Sequence, residues 1–258
     1  MSTASTTPAT AVGAYIVGDE ILSGRRTDQH LSKLIGMLSA RGLRLSWASY
    51  LGDDTPRLVE AFRDSLASGD VVFSFGGIGA TPDDLTRAAV AEALGRPLEL
   101  HPQAEALIRE RFGGDTTHHR LQMGFFPQGA EIIPNPYNQI PGFAVRHHYF
   151  VPGFPVMAWP MIEWVLDERL AHLHHGEDYV ERAILLTEVT EGDLIELMER
   201  ITAEYPQLAL FSLPSVATAT TPRLLELGVK GAAAPVQVAM AEICGFVTQC
   251  GYRWQDKG

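Results

Sequence analysis

Val71-Val72-Phe73-Ser74-Phe75-Gly76-Gly77-Ile78-Gly79-Ala80-Thr81-Pro82-Asp83-Asp84 sets a short apolar run directly before three glycines in four residues. Valine and phenylalanine suit a pleated, buried backbone, so Val71 to Phe75 reads as a strand. The glycines allow positive φ and close approach of another backbone or a ligand. Thr81 is a good N-cap, Pro82 suits a first helical position, and Asp84 stands three residues after the cap, as in a capping box. The pattern predicts a helix opening at Thr81-Pro82 and running to about Leu94. A helix start after a glycine turn offers free N–H groups and a positive dipole end to an anion. Two familiar phosphate motifs do not fit. Gly79 is followed by Ala80-Thr81 rather than a lysine, and Pro82 stands where a dinucleotide fingerprint needs its third glycine.

The segments before this loop repeat its logic. Val12 to Val17 reads as a buried strand ending in Gly18-Asp19-Glu20. Leu31, Leu34, Ile35 and Leu38 lie on one helical face. Leu43 to Leu51 reads as a second strand, ending in Gly52-Asp53-Asp54, and Thr55-Pro56 opens another helix. The β-α-β-α-β-α rhythm predicts an α/β fold, a three-layer α/β/α arrangement around a mostly parallel sheet. In such a sheet the carboxyl ends of the strands share one edge, where ligands bind near a switch in strand order. Glu20, Asp53 and Asp83 are therefore expected to converge. Each alone reads as a cap or turn residue. Together with a phosphate they raise a conflict of charge: either Asp83 and Asp84 only cap, or they face a divalent cation such as Mg²⁺.

Further along, Ala104 to Phe112 reads as a helix, residues 113 to 130 as irregular, and Ile132 to Phe143 as loop. Tyr149-Phe150-Val151 is a strand that enters Pro152-Gly153-Phe154-Pro155. A helix carrying Trp159, Ile162, Val165, Leu166 and Leu170 closes a first domain over residues 12–171. His172 to Asp178 reads as a linker. Ile184 to Leu186, Leu208 to Phe211 and Leu224 to Val229 are strands, with helices around Leu194 to Ile201 and Val236 to Val247. Residues 179–254 thus form a small β-α-β-β-α module of α+β type.

The chain has 258 residues and a formal charge of −11, from 31 acids against 20 Lys and Arg. Such acidity disfavours nucleic acid, which is held mainly through cationic side chains, and a polybasic membrane anchor. Cys244 and Cys250 are too few for a disulfide framework and read as buried free thiols. Met1 to Thr10 has neither the charge nor the apolar stretch of a secretory signal, and no run is a membrane span, so a cytoplasmic protein is expected. The pairs His118-His119, His147-His148 and His174-His175 read as surface or loop histidines, since adjacent strand residues point to opposite faces. No Gly-x-Ser-x-Gly elbow is present. Trp159 and Trp164 read as core and interface. Arg25 and Arg26 stand either in solvent or against a ligand phosphate.

Taken in order, Gly18-Asp19-Glu20-Ile21-Leu22-Ser23-Gly24, Gly52-Asp53-Asp54, the loop Gly76 to Thr86 and Pro152-Gly153-Phe154-Pro155 resemble the molybdopterin-binding domain family of MoaB and Mog, and most of all the amino-terminal domain of CinA and its stand-alone bacterial relatives. The likeness covers about residues 12 to 170. It implies a pocket for molybdopterin or an adenine nucleotide, with Gly76, Gly77, Gly79 and Thr81 on the phosphate, and Asn135, Asn138 and Gly142 as further ligand contacts. It maps the family's acidic positions to Glu20, Asp53 and Asp83 as catalytic residues, with Glu20 and Asp83 toward a divalent metal. It implies a small-molecule ligand, a homo-oligomer, and an activity such as pyrophosphate cleavage of ADP-ribose. The other reading is a non-catalytic assembly or regulatory module with an inherited pocket. CinA relatives often carry an acid after their Pro-Gly-Pro-Pro motif, where this chain has Met157. The nicotinamide-mononucleotide deamidase domain of full-length CinA has no counterpart in these residues, and deamidation is not expected.

Overall fold

A computed structural model describes residues 11–174, 179–217 and 221–257. The lead-in Met1 to Thr10 lies outside them, as do His175 to Asp178 of the expected linker. The chain divides into two compact units, Met1–His174 and His175–Gly258.

In the first unit, β1 (Val12–Val17), β2 (Trp47–Leu51), β3 (Val71–Phe75) and β8 (His148–Val151) are parallel. β7 (Gly142–Val145) and β6 (Glu131–Ile133) complete a six-stranded sheet in the order β2-β1-β3-β8-β7-β6, with β7 antiparallel to both neighbours. The chain passes from β2 back over β1 to β3, so the order reverses at the β1/β3 crevice. Every residue of β1 and β3 is buried, as expected for central strands covered on both faces, whereas edge strand β2 alternates between half-buried and exposed.

One face of the sheet packs on α2 (His30–Ser39) and α7 (Pro155–Trp164), through Leu34, Leu38, Met161 and Ile162. The other packs on α3 (Thr55–Ser68) and α4 (Thr86–Leu94), through Leu58, Phe62, Ala89 and Val90. This is the three-layer α/β/α arrangement that the sequence predicts. A one-turn helix, α1 (Asp19–Leu22), follows β1.

Several elements depart from the sequence reading. The second strand begins at Trp47 rather than Leu43. Residues 113 to 130 are not wholly irregular: after β4 (Leu98–Leu100) and α5 (Pro102–Phe112) come α6 (His118–Gln122) and β5 (Phe125–Pro127), and β5 pairs with β4. The stretch read as loop from Ile132 to Phe143 starts and ends in β6 and β7. His148 is no surface histidine. It is 2% exposed, its Nε2 lies 2.9 Å from the Ser65 hydroxyl, and burial pushes its pKa down to about 4.

The second unit holds β9 (Tyr179–Thr187), α8 (Ile195–Glu204), β10 (Ala209–Ser215), β11 (Leu224–Ala232), α9 (Ala233–Gln249) and β12 (Arg253–Asp256). Its sheet is antiparallel, in the order β10-β11-β9-β12, and packs on α8 and α9 through Leu186, Leu197, Leu225, Leu227 and Ile243. β12 is an addition to the expected β-α-β-β-α order. Both cysteines are free, but Cys250 is exposed rather than buried.

Candidate functional site

Five connections meet at the carboxyl edge of the parallel strands: Gly18 to Glu20 after β1, Gly52 to Asp54 after β2, Gly76 to Leu85 after β3, residues 134–141 between β6 and β7, and Pro152 to Phe154 after β8. The close fit at the β1/β3 switch explains the first loop glycine. Gly76 has φ +103°, and a Cβ there would lie 2.3 Å from the Val17 carbonyl oxygen. Gly153 packs on it from the other side, 3.4 Å being the distance from its would-be Cβ to Gly76 Cα.

The helix after the loop starts later than the sequence predicts. α4 opens at Thr86, and Thr81 to Asp84 forms a turn. The capping-box residues still find each other. Asp84 accepts from the N–H groups of Gly79 and Thr81, both at 2.8 Å, and from the Thr81 hydroxyl at 2.5 Å. The same hydrogen bonds that cap a helix here close a loop upon itself. Thr81 therefore spends both its donors on Asp84.

Thr86 and Arg87 then grip the loop from below. The Thr86 hydroxyl donates to the Gly76 carbonyl (3.1 Å) and its N–H to the Gly77 carbonyl (3.0 Å). Arg87 donates Nη2 to the Gly79 carbonyl and Nη1 to the Gln122 carbonyl in α6. A trans peptide points its C=O and the following N–H in opposite directions, and no peptide bond here is cis. Holding the carbonyls of Gly76, Gly77 and Gly79 on the α4 side therefore turns the N–H groups of Gly77, Ile78 and Ala80 the other way. None of those three N–H groups has an acceptor among the described residues. Successive free N–H groups at a sheet edge form a nest for an anion.

The acidic residues gather beside it. Asp19 and Asp53 exchange backbone-to-carboxylate hydrogen bonds, at 3.0 Å from the Asp19 N–H and 3.2 Å from the Asp53 N–H, which ties the ends of β1 and β2 together. Burial pushes the Asp53 carboxyl above its ordinary value. The Asp19 N–H opposes that rise, and the negative charges of Asp19, Glu20 and Asp83 add to it. Asp53 thus lies within reach of the charges of both Glu20 and Asp83. Glu20 pairs with Arg26 at 3.6 Å, and the Arg26 guanidinium lies 5.8 Å from the Phe154 ring centroid. Among the described residues, no group of three or more His, Cys, Asp and Glu side chains is placed to hold a metal ion. Glu20 and Asp83, the expected metal ligands, are not part of any such group.

Asn135, Asn138 and Gly142 serve their own segment. Asn135 donates to the Ile140 carbonyl and accepts from the Tyr137 N–H, both at 3.0 Å. Asn138 accepts from the Ile140 N–H at 3.0 Å and donates to the Met157 sulfur at 3.5 Å. A Cβ on Gly142 would lie 2.3 Å from the Phe150 carbonyl oxygen, so that glycine serves strand packing.

Two cavities flank the loop. One of about 200 Å³ is lined by Glu20, Arg26, His30, Phe75, Gly153 and Phe154. His30 is 5% exposed, stacks on Phe75 at 4.6 Å, and places Nε2 3.2 Å from the Gly153 carbonyl; burial lowers its pKa. The other, about 400 Å³, is lined by Ala80, Thr81, Asp84, Arg87, His118 and His119. Sequence reasoning missed His30, Arg87 and the grip of Thr86. The Thr-Arg pair after Asp-Asp-Leu was the available signal, a hydroxyl and a long donor placed just where a helix begins. No helix among the described residues is long and apolar enough to cross a membrane.

Comparison with known proteins agrees with this architecture. The chain is 31% identical over 198 residues to a protein of Caldivirga maquilingensis, covering 73% of this chain and 76% of that one. It is 37% identical over 183 residues to a CinA-like protein of Anaeromyxobacter sp. strain Fw109-5, covering 68% of this chain but only 44% of the relative's length. A crystal structure of CinA, of unknown function, from Thermoplasma acidophilum superposes with a TM-score of 0.57 at 29% identity, covering 62% of this chain and 98% of that one. The model of the probable molybdopterin binding domain matches residues 13–172, which take in all but the first residue of the six-stranded sheet, and the chain belongs to that family.

Proposed function

We propose that this protein binds molybdopterin or a related phosphate-bearing pterin at the carboxyl edge of its parallel sheet, with the phosphate on the N–H groups of Gly77, Ile78 and Ala80. The observation that carries the reading is the outward turn of those three donors at the β1/β3 switch. Fixed N–H dipoles supply a local positive potential within a chain of net charge −11. Gly79 and Thr81 shape the loop through their hydrogen bonds to Asp84. Membership of the molybdopterin-binding family supports the pterin over an adenine nucleotide. The test is calorimetry of the full chain with molybdopterin, AMP and ADP-ribose, each with and without Mg²⁺. Saturable binding that Gly79→Trp abolishes is expected. Failure to bind any of the three, or unchanged binding in the variant, overturns the reading.

A second reading has one observation in its favour, the raised carboxyl of Asp53 beside the loop. A carboxylate whose pKa is lifted toward neutrality is a better proton acceptor. In that reading, water adds to one phosphorus of a bound ADP-ribose-like pyrophosphate, Asp53 takes the water's proton, and the P–O–P bond breaks to leave two phosphate monoesters. Burial raises the Asp53 pKa, and the charges of Asp19, Glu20 and Asp83 add to that rise. Asp53→Asn is then expected to lower turnover by about two orders of magnitude or more while leaving ligand affinity within a small factor. A non-catalytic module keeps its binding and shows no turnover in either form.

A further inference from the structure

We infer that Arg87 is a positioning residue for the anion site: by holding the Gly79 carbonyl it aims the Ala80 N–H at the ligand. The inference rests on the pterin-phosphate reading above. Arg87 is 8% exposed, although it carries a full charge. A buried charge costs several kcal/mol unless it is well partnered, so its retention calls for a reason.

Its partners supply that reason. The guanidinium bridges two carbonyls from separate segments, Gly79 in the loop and Gln122 in α6. Gly79 is thereby held at both ends, its N–H on Asp84 and its C=O on Arg87. Both peptide planes flanking Gly79 are fixed, and the Ala80 N–H is turned away from the guanidinium toward the open side. The Asp84 carboxylate acts electrostatically on Arg87, which is consistent with one charge offsetting the other beneath the loop. Burial opposes this by lowering the Arg87 pKa, and an arginine remains protonated regardless. By holding Gln122, Arg87 also sets α6, with His118 and His119, as the far wall of the 400 Å³ cavity at Ala80.

The two carbonyls need a planar fork. Lysine brings the same charge as a point and cannot bridge both with the same geometry. That difference separates aiming from charge. The experiment titrates the full chain with molybdopterin and follows calorimetric affinity alongside amide proton shifts. Arg87→Met is expected to weaken binding about tenfold or more and to move the Ala80 amide resonance while those of Gly77 and Ile78, held by Thr86, stay near their wild-type positions. Arg87→Lys, the variant least disturbing to folding, is expected to recover part of the affinity but not the Ala80 position. Adding Asp84→Asn to Arg87→Met leaves an amide oxygen that can still accept from the Gly79 N–H, and is expected not to restore the Ala80 position, because the Gly79 carbonyl still lacks its donor.

Wild-type binding with affinity within about twofold in both arginine variants overturns the inference and leaves the pterin reading standing. Equal displacement of all three amides overturns it as well, since Arg87 then supports the loop without aiming it. Absence of wild-type binding overturns the pterin reading and this inference together.

Discussion

Gly76 illustrates how a residue legible in sequence can owe its identity to something the sequence does not show. The run of three glycines announces a backbone needing positive φ or close approach, and Gly76 and Gly77 have φ of +103° and +67°. The approaching groups are the protein's own. A Cβ meets the Val17 carbonyl at Gly76, the Thr86 hydroxyl at Gly77 and the Asp84 carboxylate at Gly79. Gly76→Ala is therefore expected to cost about 2 kcal/mol or more, from backbone strain added to a clash that rigid strand backbone cannot relieve. Gly24→Ala, also at positive φ but with open space around it, is expected to cost only the strain of about 1 kcal/mol. Urea unfolding of the two variants measures the difference, and equal losses would remove the close-packing argument.

His148 is the residue at which sequence reasoning failed most plainly, because nothing local reveals that β8 lies inside the sheet beside β3. Its folded pKa of about 4 lies below the unfolded value of about 6.5. The unfolded chain therefore binds the extra proton first as pH falls. The sign follows: His148 contributes no pH dependence above about 6.5, and stability is lost between about 6.5 and 4, by roughly 3 kcal/mol at most. His148→Gln is expected to flatten that acid limb in pH-dependent urea melts. Part of the limb remains, since burial lowers His30 too. An unchanged limb would mean that His148 is accessible to protons in the folded state.

At the scale of elements, periodicity and turn residues placed the central strands and the helices on both faces. They misplaced the start of α4, for a physical reason. Thr81, Pro82 and Asp84 satisfy the rules of a helix start, yet the same donors and acceptor close a turn, and the helix begins at the next threonine. Local hydrogen-bonding rules cannot separate the two outcomes, because the choice is made by Thr86 reaching the Gly76 and Gly77 carbonyls across the loop. The short strands β4 and β5 escaped for a related reason: three-residue ladders depend on pairing rather than pattern. Thr86→Val, which keeps shape but leaves the buried Gly76 carbonyl without its donor, is expected to cost about 2 kcal/mol and to weaken ligand binding. Asp54→Ala removes an N-cap whose side chain accepts from the Arg57 N–H at 3.0 Å, and is expected to cost about 1 kcal/mol without affecting binding. Thermal melts with parallel titrations separate these two outcomes.

For the molecule as a whole, each unit carries its own apolar core, and the candidate site belongs to the first. Leu225→Ala, at a fully buried position of β11, is expected to cost about 3 kcal/mol and to raise hydrogen exchange in β9, β11 and α9 while leaving β1, β3 and the glycine loop protected. The meeting of the loops at the carboxyl edge was legible from the β-α-β order alone, and so was the gathering of acids there. The proposed way for an acidic edge to accept an anion was not, because it depends on which way three peptide groups face. That orientation is the central claim. Its most direct test is proton–nitrogen NMR of the full chain titrated with molybdopterin. The account predicts that the amide protons of Gly77, Ile78 and Ala80 move downfield together, saturating with the calorimetric affinity. Saturable binding that leaves those three resonances where they were would contradict it.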